Sequence, residues 1–168
     1  NGGVSIGPAN VAIFASMAIL AVAFHARADG NADSVRTEAI AAYDRRDYTV
    51  AARGFEQLHA LTGDPAARYN AAASWDAAND QPRAADDYEA ALGLPGLDAR
   101  HAELAAARLG LLKRRLGYVM LDKPVGATLR AAHVERRTLP TGLHLLPGTH
   151  ELVVTFATSI PAADEDAL

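Results

Sequence analysis

A shift of 33 residues lays residues 33–62 onto residues 66–95. Asp47 falls on Asp80, Ala51 on Ala84, Phe55 on Tyr88, Glu56 on Glu89 and Leu61 on Leu94. Ala39 also falls on Ala72, but the chain holds 38 alanines, so the aromatic and acidic matches carry the weight. A period of this length marks stacked units, each covering the apolar face of the next. Of the alanines, 31 lie in residues 1–116 and only 7 in the last 52, a composition step that separates a front region from a back one. An Ala-rich front suits closely packed helices.

Each unit reads as two helices. Asp64-Pro65 has the form of an N-cap followed by proline in the first turn, and Gln81-Pro82 repeats the proline part. Ala51, Phe55, Leu58 and Leu61 share one face at spacings of three and four, as do Ala84, Tyr88 and Ala91. Small residues at Ala51 and Ala84 let helices approach, and Phe55 and Tyr88 fill the space between units. A further helix follows, capped by Asp98, striped by Ala102, Ala105, Leu109, Leu112 and Leu116, and ended by Gly117. It is expected to shield the last unit from water.

The stretch Asp47-Tyr48-x-x-Ala51-Ala52-x-x-Phe55-x-x-Leu58, with Asp80-x-x-x-Ala84-Ala85-x-x-Tyr88-x-x-Ala91, resembles the tetratricopeptide repeat family. Pro95 stands where such repeats often end. Unit one departs from the pattern: it lacks the early tryptophan and the Leu-Gly pair and has Ala42 where unit two has Trp75. The resemblance implies a binding surface on the first helix of each pair. The candidates are Arg36, Ile40, Tyr43 and Asp44 in unit one, Tyr69, Asn70, Ala73 and Asp76 in unit two, and Arg100 in the last helix. Of these, Arg36, Tyr43, Tyr69, Asn70, Asp76 and Arg100 are the expected contacts to a protein or peptide. Some family members clamp a peptide carboxylate with basic residues and asparagines. Arg36, Asn70 and Arg100 stand in broadly similar places here, with Ile40 where an asparagine is expected. Ordinary surface charge is the competing reading for the arginines, and helix packing for the tyrosines.

After Gly117 the period changes to two. Tyr118–Leu121, Ala127–Ala131, Leu143–Leu145 and His150–Phe156 read as four short strands, the last with Leu152, Val154 and Phe156 on one face. Lys123-Pro124-Val125-Gly126 and Pro147-Gly148 read as turns. Three stretches carry a resemblance to the PEGA domain, a small β module of bacterial envelope proteins: Val119-x-x-Asp122-Lys123-Pro124-Val125-Gly126-Ala127-Thr128, then Thr138-Leu139-Pro140, then Leu145-Leu146-Pro147-Gly148-Thr149-His150-x-Leu152-x-Val154. Ala132-His133-Val134-Glu135 replaces the family's Asp-Gly hairpin. The expected fold class is thus α+β in separate parts. Tetratricopeptide-like hairpins with a capping helix cover 33–116, and a small β-sandwich covers 117–157.

Val11–Phe24 is an apolar run without a charge. It is short for a membrane span and fits the core of a secretory signal, with Ala26-Arg27-Ala28 as a small-x-small cleavage site. An uncleaved anchor and a buried helix are the other readings of residues 1–28. Residues 158–168 contain Asp164-Glu165-Asp166 and read as a solvated acidic tail. The chain opens on Asn1 and not on Met, which leaves open whether it is a fragment of a longer protein.

The net charge of -4 argues against a nucleic-acid binder that depends on a basic face. With no cysteine, disulfides, thiolate metal sites and a Cys nucleophile are excluded. No phosphate loop or nucleophile elbow occurs. His133, His144 and His150 share the β region and could converge with Glu151, against the plainer reading of isolated surface histidines. Asp86, Asp87 and Glu89 read as a solvated acidic face, and Lys113-Arg114-Arg115 and Arg136-Arg137 as solvated basic clusters. No cofactor, metal or catalytic residue is expected. The expectation is an exported, non-enzymatic interaction or scaffold protein of the periplasm or cell envelope, with a protein or peptide partner and an open association with membrane or cell wall. The alternatives are a cell-wall- or carbohydrate-binding β module, or the non-catalytic part of a larger envelope enzyme or sensor.

Overall fold

A computed structural model describes residues 30–156. The expected signal or anchor at 1–28 and the acidic tail at 158–168 lie outside the described residues. Among the described residues, five helices precede five short strands: α1 at 30–44, α2 Tyr48–Thr62, α3 Pro65–Ala77, α4 Gln81–Gly93, α5 Ala99–Lys113, β1 Gly117–Leu121, β2 Thr128–Ala131, β3 Val134–Thr138, β4 Thr141–Leu145 and β5 Val153–Thr155. None of these helices is long and apolar enough to cross a membrane.

The 33-residue period is written into the backbone. Arg46 and Asn79 both take positive φ, 64° and 63°, at the turn between the two helices of each pair. Asp47 N–H donates to Ala42 and Asp80 N–H to Trp75, both at 2.9 Å. The next helix opens alike in each pair, with Ala51 N–H donating to Asp47 and Ala84 N–H to Asp80. Three starts are capped by side chains: Asp64 accepts from Ala66 N–H, Asp80 from Arg83 N–H and Asp98 from His101 N–H.

Close packing rests on small residues. Ala39, Ala42, Ala51, Phe55 and Leu58 form one core with Ala67 and Ala71 of α3. Ala52, Ala72, Trp75, Ala84, Ala85 and Tyr88 form a second with Ala105, Leu109 and Leu112 of α5, which therefore covers the second hairpin. Leu61, expected on the buried face, is 46% exposed in the last turn of α2. Gly117 opens β1 instead of ending α5, which stops at Lys113.

The β region holds two antiparallel sheets, β1-β4 and β3-β2-β5. They enclose Ala127, Leu129, Leu139, Leu143 and Leu145, with Val119, Leu121, Leu152 and Val154 at the margin. Gly126 turns at φ 83° and delivers Ala127 into this core, where it is 3% exposed. One strand more is present than the four expected. The β3 residues Glu135, Arg136 and Arg137 carry no apolar alternation, and the strand is held by pairing with β2 and by Val134. Phe156, expected on one face with Leu152 and Val154, is 57% exposed just beyond β5.

Candidate functional site

Helices α1 and α3 open a groove of about 360 Å³ between them. Ile40 and Tyr43 stand on one wall and Tyr69, Asn70 and Ala73 on the other, with Phe55 of α2 at the base. Positions three and four apart on a helix share a face, which is how one turn of each helix supplies a wall. Tyr43 packs edge-on against Tyr48 with ring centres 5.1 Å apart. Tyr69 leans on Tyr88 at 5.8 Å and on His101 at 4.5 Å. Burial, with the neighbouring Tyr43, pushes the Tyr69 hydroxyl above the ordinary phenol range, so it stays protonated and able to donate. Ile40 and Tyr43 remain 47% and 40% exposed, an apolar surface open to solvent.

Three of the six expected contact residues, Tyr43, Tyr69 and Asn70, meet in this groove. The other three do not line it. Arg36 pairs with Asp33 one turn earlier on its own helix, at 2.7 Å. Asp76 gives both carboxylate oxygens to Arg108 of α5, so it joins α3 to α5. Arg100 sits exposed in the first turn of α5, where its charge opposes the upward shift of Tyr69. A carboxylate clamp built from Arg36, Asn70 and Arg100 is therefore not assembled around this groove.

The second concentration of chemistry lies where α4 meets β4. Asp86 of α4 is 6% exposed and accepts from four groups of the β region. His144 donates from its backbone N–H at 2.8 Å and from Nδ1 at 2.9 Å, His133 from Nε2 at 3.1 Å, and Arg137 from Nη1 at 2.9 Å. A carboxylate only accepts, so the facing histidine nitrogens carry the protons. Burial alone would raise the pKa of Asp86. The hydrogen bonds from His133 and His144 and the charge of Arg137 outweigh it and hold the carboxyl well below the usual range. Next to it, Asp87 is 2% exposed and meets Arg68 Nη2 at 2.6 Å. Burial dominates there and pushes Asp87 up to about 7, against the pull of Arg68.

These contacts correct two expectations. Asp86 and Asp87 are buried, not solvated; of the three acidic residues only Glu89 reaches the surface, paired with Lys113. The β-region histidines are not scattered over the surface either: His133 and His144 converge, but on Asp86 of a helix and not on Glu151. His150 stands apart and bonds the Leu146 carbonyl. One signal for Asp87 was present in the sequence. It lies three residues after Ala84 and four before Ala91, on their buried face.

The Asp86 cluster joins α4 to β3 and β4. His144 is fully buried, and its Nε2 meets no partner and no solvent. Among the described residues, no group of histidines and carboxylates has the arrangement to hold a metal ion. Neither a family model, nor a curated protein, nor a solved structure matches the chain.

Proposed function

We infer that the chain is a non-enzymatic interaction module whose helical hairpins, similar to tetratricopeptide repeats, bind a protein partner through an extended peptide. The single observation that supports this reading is the groove between α1 and α3, where Tyr43, Tyr69 and Asn70 stand beside the exposed Ile40. Rigid aromatics order few torsions on binding and are frequent interface anchors, and the Asn70 amide can satisfy a peptide's backbone groups. Among the described residues the lining of the groove carries no charge, so its complement is a peptide with an apolar or aromatic anchor. Export to a bacterial envelope belongs to the same reading and rests on the Val11–Phe24 run and on the likeness of 117–157 to the PEGA domain.

The test is capture from an envelope extract with the chain as bait, beside a Tyr43→Ala, Tyr69→Ala variant. A partner held by the native chain and lost at least tenfold by the variant supports the groove. Equal capture by both removes it.

A second reading, a cell-wall-binding β module, is favoured by Tyr118 and Phe156, which are 48% and 57% exposed. It predicts co-sedimentation with purified cell wall, lost on Tyr118→Ala, Phe156→Ala and untouched by the groove variant.

A further inference from the structure

We propose that a second cleft, between the helical hairpins and β3, binds a compact oxyanion carrying two or more negative charges. The cleft measures about 470 Å³ and is separate from the groove of α1 and α3. Its lining brings together Arg53 of α2, Arg68 of α3, Arg83 of α4, and Arg136 and Arg137 of β3. Five of the chain's 16 lysines and arginines thus face one small space in a protein of net charge -4.

Three of these guanidinium groups are pinned from behind. Asp87 holds Arg68, Asp80 holds Arg83 at 3.1 Å, and Asp86 holds Arg137. Arg83 is fixed further by the His133 carbonyl, at 3.2 Å from its Nε, and by the Trp75 ring, 4.6 Å from its guanidinium carbon. A guanidinium has five N–H donors, and the pinning uses only part of each set. Arg68 Nε in particular is buried without an acceptor. Among the described residues, Arg53 and Arg136 form no ion pair, and both are exposed.

Two carboxylates share the lining. Glu56 is occupied by Trp75, whose Nε1 donates to it at 2.8 Å, and Glu135 is exposed on β3. Structural pairing therefore accounts for three arginines and leaves Arg53, Arg136 and the Arg68 Nε without acceptors. Planar guanidinium forks match phosphate and carboxylate oxygens two at a time, and pinned forks lose little freedom on binding. The volume suits a small molecule, and the net charge of -4 argues against a nucleic acid.

The test is calorimetric titration of the full chain, at low fixed ionic strength, with pyrophosphate in one arm and citrate in the other. Three variants accompany it: Arg53→Ala, Arg136→Ala; Arg136→Glu alone; and Arg114→Ala, Arg115→Ala as a control for general surface charge. Saturable binding of one ligand is expected, weakened at least tenfold by the first two variants and less than twofold by the control. Their melting midpoints without ligand should match the native chain. The arm that binds more tightly assigns the source as phosphate or carboxylate. Absence of saturable binding in both arms, unchanged affinity in the two cleft variants, or equal loss in the control would each overturn the proposal.

Discussion

The two hairpins share a backbone and differ in what their outer helices carry. Both turn through a residue of positive φ, both open their second helix on an aspartate, and both bury an aromatic, Phe55 or Tyr88, at the same place. One difference between them bears on what sits beside each hairpin: Arg53-Gly54 in the first stands where the second has Asp86-Asp87. Gly54 lets α2 press against α1, since a Cβ there would meet the Ala39 Cβ at 2.8 Å. On the same turn of α4, Asp86 meets the β region and Asp87 meets Arg68 of α3. One scaffold thus uses the same turn for close contact in one copy and for docking a second module in the other.

The largest effect expected from breaking this difference is at Asp86. Asp86→Ala leaves Arg137, His133 and the His144 backbone N–H without their shared acceptor, at a cost of about 3–5 kcal/mol. Arg53→Ala, at the equivalent exposed position, should stay within about 0.5 kcal/mol. Denaturant unfolding of both variants reads the contrast, and equal losses would show that Asp86 is not a docking residue.

Gly54 and Asp87 form the next pair. Gly54→Val forces α1 and α2 apart and should cost about 1–3 kcal/mol in the same measurement. Asp87 is better tested by pH. Its folded-state proton is held up to about 7, whereas an unfolded aspartate releases it near the ordinary value of 3.8. Between those two points the folded state binds the extra proton, so stability should fall as pH rises and then level off. Asp87→Asn should flatten that fall. Asp86 runs the opposite way: its contribution is complete above the ordinary carboxylate range and is lost only far into acid. A native stability curve without any decline between pH 4 and 7 would refute the assignment for Asp87. The smallest effect is at Arg108, about 44% exposed, where Arg108→Ala removes the pair with Asp76 and should cost about 0.2–1 kcal/mol.

The hairpins were legible because their signals are local. The Asp64-Pro65 and Asp98 caps, the spacing of Ala51, Phe55 and Leu58, and the period itself all involve neighbours in sequence or one helical face. Tyr43, Tyr69 and Asn70 came together for the same reason, since equivalent helices of successive units lie side by side. Asp86 was illegible because its four donors lie 47 to 58 residues away, and without them an aspartate on a helix is a surface residue. The pairing of Asp76 was illegible likewise, since Arg108 lies 32 residues away. The strand β3 escaped notice because its charged residues face the helices and the cleft, so it lacks the alternation that a half-buried strand displays.

The Asp86 cluster also gives the molecule a direction of growth. Extra hairpins inserted between α2 and α3 would leave α4, α5 and the β region joined as they are, with the carboxylate still facing its four donors. A hairpin inserted after α4 would carry β4 away from Asp86 and strand a buried anion. The array can therefore be lengthened on its upstream side and is closed on its downstream side, with the second hairpin as its permanent last member.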